Sequence, residues 1–222
     1  MPFKFNDNIQ HILLHDSLII FDEKNDTFLV LPEDTTREVL SSFEDMKDRA
    51  GIVEHLVQES ILISADTRQY ISTISMSGYG IGDYRWDRRE HLITAVRFRY
   101  VVEALAVAIS LKLRLASLGL PRILAQMRTS KKRTPPRRDD LIYPQQLAYS
   151  LTRASHFLPF RFECLEFSCA LFKILIRKGY HPTFHIGVQN YNFLSHAWID
   201  INGVVIGDRA DMFQRISPIV SI

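Results

Sequence analysis

Three side chains in the last third of the chain could together activate a thiol: Cys164, His196 and Asp208. A cysteine becomes a nucleophile when its thiolate is favoured and a base stands beside it. Cys164 lies in the first turn of a helical pattern over 163–178. The unpaired N–H groups and the positive dipole end of that turn stabilise negative charge. His196 opens an apolar strand, 196–201, and can act as general base. Asp208 closes the next strand, 204–207, from which a carboxylate can orient the imidazole. Each element by itself is weak. The order, cysteine at a helix start and then histidine and aspartate on successive antiparallel strands, is specific for acyl transfer.

Competing groupings fail on geometry. Cys169 lies in the second helical turn and reads as a small core residue. Ser195 cannot serve His196, because adjacent strand residues point to opposite faces. Asp200 shares a face with His196, but four strand residues separate them by roughly 13 Å. The same distance argues against His181 and His185 as joint metal ligands, so no metal site is expected.

The elements that must position these groups follow from periodicity. Gln145 to His156 looks helical, and Pro159 lies just beyond. The helix over 163–178 has Leu165, Ala170, Leu171, Ile174 and Leu175 among its apolar positions and stops at Gly179. Strands over 183–188, 196–201 and 204–207 follow, the last two joined by Asn202-Gly203, the strongest two-residue hairpin signal. Nearer the start, 17–21 and 27–31 flank the polar turn 22–26 and read as a hairpin. After Pro32, Val39, Leu40 and Phe43 form a helical stripe. A second short helix carries Ile52, Leu56 and Ile61. Residues 1–78 therefore read as a small winged-helix-like unit, 79–138 as a connector and helical segment, and 139–222 as the chemical core. The fold class is α+β.

The middle segment carries two features. Gly78-Tyr-Gly-Ile-Gly82 invites a phosphate-loop reading, but no Lys-Ser/Thr follows and no apolar strand precedes it. Helical periodicity then runs over 91–127 with a break near Gly119-Leu-Pro121. Arg128 to Arg138 holds six basic residues and two prolines in eleven positions. It reads as a solvated linker, with a contact for an acidic partner such as an acidic precursor peptide as the sharper alternative. Nucleic acid ranks third, since no interleaved aromatics accompany the run.

Composition is that of a globular protein. Of 222 residues, 46% are hydrophobic and 23% charged, and the net charge of +2 is too near neutral to argue for nucleic acid. Two cysteines five apart on a helix face different ways and make no disulfide framework. A reducing cytoplasm is the natural setting. The first residues lack a signal-peptide layout, and the apolar stretch 104–111 is far too short to span a membrane.

The stretches E-C-L-E-F-S-C-A-L-F-K-I-L-I-R-K-G-Y-H-P-T-F-H-I-G-V (163–188) and S-H-A-W-I-D-I-N-G-V-V-I-G-D (195–208) resemble the maturation peptidase, or B protein, of lasso-peptide biosynthesis. The resemblance implies a papain/transglutaminase-like cysteine peptidase fold with Cys164 as nucleophile, His196 as base and Asp208 as orienting acid. It also implies removal of a leader from a precursor peptide, and an ATP-dependent cyclase as partner. No cofactor is expected in this chain, and any ATP dependence would reside in the cyclase. The first third resembles, more loosely, the precursor-recognition element that captures a leader as an added strand. The strand 27–31 would then bind the leader through Phe28, Leu29, Val30 and Leu31, although burial under the following helices explains its apolar run equally well. Two other functions share the triad or the fold: a transglutaminase or amidase, and a non-catalytic leader-binding adaptor.

Overall fold

His15 and Asp16 both take positive φ, 48° and 61°. This is the backbone of a two-residue turn whose twist matches paired strands. It joins β2 (Ile9–Leu14) to β3 (Ser17–Asp22), and β3 pairs in turn with β4 (Thr27–Leu31). The predicted hairpin is thus the second half of a three-stranded antiparallel sheet. The computed structural model describes residues 3–44, 51–65, 80–82 and 98–222. The first two residues of the glycine run, the residues after it, and the start expected for the helix at 91 lie outside them.

A second, two-stranded sheet pairs β1 (Phe3–Phe5) with β5 (Leu62–Ser64). Along the chain, α1 (Glu33–Glu44) and α2 (Gly51–Gln58) come between β4 and β5. Their apolar faces meet the strands in a core that includes Phe5, Ile9, Leu18, Ile20, Leu31, Val39 and Leu56. Buried Thr36 fastens helix to sheet. Its hydroxyl donates to the Leu31 carbonyl and accepts from the Leu18 N–H, both at 2.9 Å. The described residues fall into two compact units, one comprising those up to 65 with 190–193, the other the remainder.

The first described helix of the second unit is α3 (Phe98–Arg133), a helix of two arms broken at Gly119, where φ is 74° and ψ 168°. Only glycine adopts that backbone readily, and Pro121 just beyond is suited to the first turn of a new arm. The arms pack on α4 (Ile142–Ser155) and α5 (Cys164–Arg177). The helical segment belongs to the same compact unit as the elements that follow it. The basic run is largely exposed, and it is tied to the unit at two points. Its first half is the end of α3, where Lys131 Nζ donates to Thr183 Oγ1 and to the Ile222 carbonyl, both at 3.0 Å. The Arg137 N–H donates to the Gly179 carbonyl at 2.9 Å.

On its other side α5 packs against a four-stranded antiparallel sheet in the order β8-β7-β6-β9. Its strands are β6 (Thr183–Gln189), β7 (Leu194–Ile201), β8 (Val204–Ile206) and β9 (Ser217–Ser221), the last preceded by the short α6 (Met212–Arg215). The Asn202-Gly203 turn has φ of 53° and 82°, as the hairpin signal requires. Strand β9, which contains Pro218, was not expected. It lies at the sheet edge, beside a register shift at Ile186/Gly187, where a missing N–H is tolerated.

Candidate active site

The nucleophile candidate stands at the first helical position of α5. Glu163 precedes it in extended conformation, with φ −98° and ψ −171°, and its N–H donates to Glu166 Oε2 at 3.2 Å. Glu166 Oε1 accepts from Lys112 Nζ of α3 at 2.6 Å, which fixes this end of the helix from outside. Cys164 is half-buried. Cys169, five residues on, is 1% exposed. Burial first, then the charges of Glu166 and Cys164, push its thiol far up, as suits an inert core residue.

His196 lies buried on β7 with Nε2 2.7 Å from Asp208 Oδ2. It also hydrogen-bonds the Cys164 side chain. Nε2 is committed to the carboxylate, which leaves Nδ1 as the other ring nitrogen. Burial pulls the imidazole pKa down. The hydrogen bonds and charges of Asp208 and Cys164 outweigh it and raise the value to about 9. An imidazole held protonated is placed to pass its proton to a leaving group.

Asp208 is delivered by a corner with no room for a side chain. Gly207, at φ 72°, would place a Cβ 2.6 Å from Ala148 Cβ and 3.2 Å from Phe167 Cε1. Gln145 of α4 clamps the same corner. Its amide donates to the Val205 carbonyl at 3.2 Å, and its oxygen accepts from the Gly207 N–H at 3.3 Å. Asp208 Oδ1 accepts from the Arg209 N–H at 2.7 Å, leaving Oδ2 to the imidazole.

Helix and strand are pinned together one turn from the thiol. The Ser168 hydroxyl donates to the Ala197 carbonyl at 2.9 Å in a fully buried contact. Ser168 shares the helix face of Cys164, and Ala197 adjoins His196, so this bond fixes nucleophile against base. Sequence reasoning missed both Ser168 and Gln145. The i, i+4 spacing from Cys164 was the signal for Ser168. Gln145 carried none.

Asp200 has a different partner. Its Oδ1 lies 2.7 Å from His185 Nε2, and its Oδ2 accepts from the Gly203 N–H at 2.7 Å. Burial pushes this carboxyl up. The His185 hydrogen bond, the Gly203 N–H, and the charges of His185 and Lys131 outweigh it, and the pKa is lowered. His185 Nδ1 meets Ser221 Oγ at 2.8 Å, so both ring nitrogens are committed to the sheet. Trp198 stacks between the two histidines, 5.1 Å from the His185 ring and 6.5 Å from the His196 ring.

Phe28, Leu29, Val30 and Leu31 belong to the first unit, on the edge strand β4. Leu29 and Leu31 pack into its core, while Phe28 stacks on Phe21 at 4.4 Å. These packed neighbours on alternate residues explain the unbroken apolar run. Among the described residues, the outer edge of β4 pairs with no strand.

A family model described as the transglutaminase-like superfamily matches residues 105–221. It includes most of α3 and all the groups around Cys164. The microcin J25-processing protein McjB of Escherichia coli is 36% identical over 67 residues, covering 30% of this chain and 32% of that protein. The chain thus aligns with about a third of that relative's length. No solved structure matches.

Proposed function

The chain belongs to the transglutaminase-like superfamily, and from that membership we propose that it is a cysteine peptidase that removes the leader from a ribosomally made lasso-peptide precursor. The observation that carries the reading is the placement of His196, hydrogen-bonded to Cys164 on one side and 2.7 Å from Asp208 on the other. The similarity to McjB, named for processing microcin J25, and the motif resemblance support the choice of substrate.

In this mechanism the Cys164 thiolate attacks the scissile carbonyl carbon, and its oxygen takes the negative charge, with the Cys164 N–H as one donor. The His196 imidazolium gives its proton to the departing amine as the C–N bond breaks. Water then attacks the thioester and passes a proton to His196, releasing the leader acid and restoring the thiolate. Asp208 holds the imidazole tautomer throughout. The outer edge of β4 receives the leader as an added strand. The freed amine is what an ATP-using cyclase partner would join into a ring, and ATP chemistry would belong to that partner.

Transfer to an amine instead of water is the second reading, because the superfamily's name and the acyl-enzyme are common to both. One experiment separates them. The purified chain is incubated with the short peptide encoded beside its gene, with and without added glycine ethyl ester, and the products are weighed by mass spectrometry. A leader fragment ending in a free acid in both samples supports the peptidase. A leader carrying the added amine supports the transferase. Cys164→Ala should abolish both products while peptide affinity stays near wild type. An intact precursor with the wild-type chain would overturn the proposal.

A further inference from the structure

The two arms of α3 and one side of α5 enclose a groove of about 520 Å³. Its floor includes the buried side chains of Ile123, Met127 and Phe172. Its walls carry Arg114, Arg133, Lys173 and Arg177, and no carboxylate lines it. Among the described residues none of these four cations forms an ion pair. The Arg114 guanidinium donates to Gln126 Oε1 across the break at Gly119, which ties one arm to the other. Lys173 is pushed down in pKa by burial, and further by the charges of Arg114 and Arg177. Cations gathered over an apolar floor repel one another and lack a counter-charge, and an anionic occupant relieves both conditions.

We propose that this groove docks an acidic peptide segment of a partner protein, with one or two apolar side chains on the floor and carboxylates on Arg114, Lys173 and Arg177. Charge complementarity selects the sign of the occupant, and the apolar floor selects a peptide over a free small anion. The groove has room for a few side chains but not for a whole helix, so only the anchoring face of the segment enters. A bilayer surface cannot reach the floor of a concave site. A nucleic acid would find no exposed aromatic among the floor residues on which to stack. The end of α3 supplies Arg133 from the basic run that the sequence singled out, giving that run a role apart from the chemistry at Cys164.

The test uses the full chain and a fluorescein-labelled synthetic peptide of Leu and Glu at helical spacing, read by anisotropy. Controls are the same peptide with Lys for Glu, the same peptide with Ser for Leu, and phosphatidylglycerol vesicles. The Glu/Leu peptide should bind at least about tenfold tighter than either control peptide, and its affinity should fall as salt rises from about 50 mM to about 500 mM. Arg177→Glu should weaken it about tenfold or more. Lys173→Gln, the milder change, should weaken it measurably with the unfolding temperature unchanged, and it decides the matter if Arg177→Glu does not fold. Cys164→Ala should bind like wild type, which keeps this result separate from the peptidase reading. Equal binding of the Lys and Glu peptides, binding unmoved by either groove variant, or capture of vesicles without peptide would each overturn the proposal.

Discussion

The indole of Trp198 occupies the space that a side chain on Gly187 would need. A Cβ built there would lie 2.6 Å from Trp198 Cζ3 and 2.7 Å from Cη2. Gly187 pairs with His196 and His185 with Trp198 across β6 and β7, so the glycine lets the indole lean diagonally toward the His196 ring. Gly187→Ala must therefore move Trp198. The expected cost is about 1–3 kcal/mol of stability. A fall in kcat should persist at temperatures where the variant is fully folded. Thermal unfolding together with steady-state cleavage measures both, and an unchanged kcat would show that the indole does not position His196.

The two buried aspartates should separate cleanly. Asp208→Asn keeps the size but loses the charge that holds the His196 imidazolium, so turnover should drop by orders of magnitude with the fold intact. Asp200→Asn instead leaves buried His185 without its carboxylate and should lower the unfolding temperature, with kcat of the folded protein changed little. Peptide affinity should match wild type in both. If Asp200→Asn proves the more damaging to kcat in folded protein, the assignment of Asp208 is wrong.

The raised pKa of His196 has a definite sign. Its folded value of about 9 exceeds the ordinary 6.5, so the folded state binds the extra proton between them. The stability this contributes is fully present below pH 6.5 and is lost as pH rises through about 9. Cleavage, which needs the imidazolium to protonate the leaving amine, should decline on the alkaline side near pH 9. In Asp208→Asn one of the groups that raise the pKa is gone, and the alkaline limb of residual activity should move to lower pH. A pH profile of kcat/KM for both proteins tests this, and a limb that stays put would dissociate it from His196.

The leader proposal rests on the outer edge of β4. Leu29→Pro removes one backbone donor from that strand and should weaken leader binding. The second unit should be untouched, which alkylation by iodoacetamide reports. Cys164 should label as in wild type, while Cys169, 1% exposed, stays unmodified by peptide mapping. Undiminished leader affinity would move the binding site elsewhere.

What the sequence revealed depended on how local the cause was. The start of α5 at Cys164, the Asn202-Gly203 turn and the break at Gly119 are each written in a few adjacent residues. From them the meeting of Cys164, His196 and Asp208 could be reasoned. Strand β2 was not anticipated, because His15-Asp16 adopts a turn conformation usually left to Asn-Gly. The basic run divides between two elements: prolines at 135 and 136 mark the exposed connection, while its first half has no helix breaker and continues α3. Gln145 and the His185–Asp200 pair depend on register and on packing between distant elements, which no local pattern encodes.

The tight turn at Asn202-Gly203 also bears on the order in which the site assembles. His196 and Asp208 are only 12 positions apart, on and just beyond strands that this turn brings together. Closing so short a loop takes little entropy, and hairpins form within microseconds. The thiol comes from a whole helix further back and reaches the imidazole only when α5 docks on β7 through Ser168. His196 and Asp208 can thus be paired before Cys164 arrives, so in a nascent chain the thiol meets no imidazole until the core has closed.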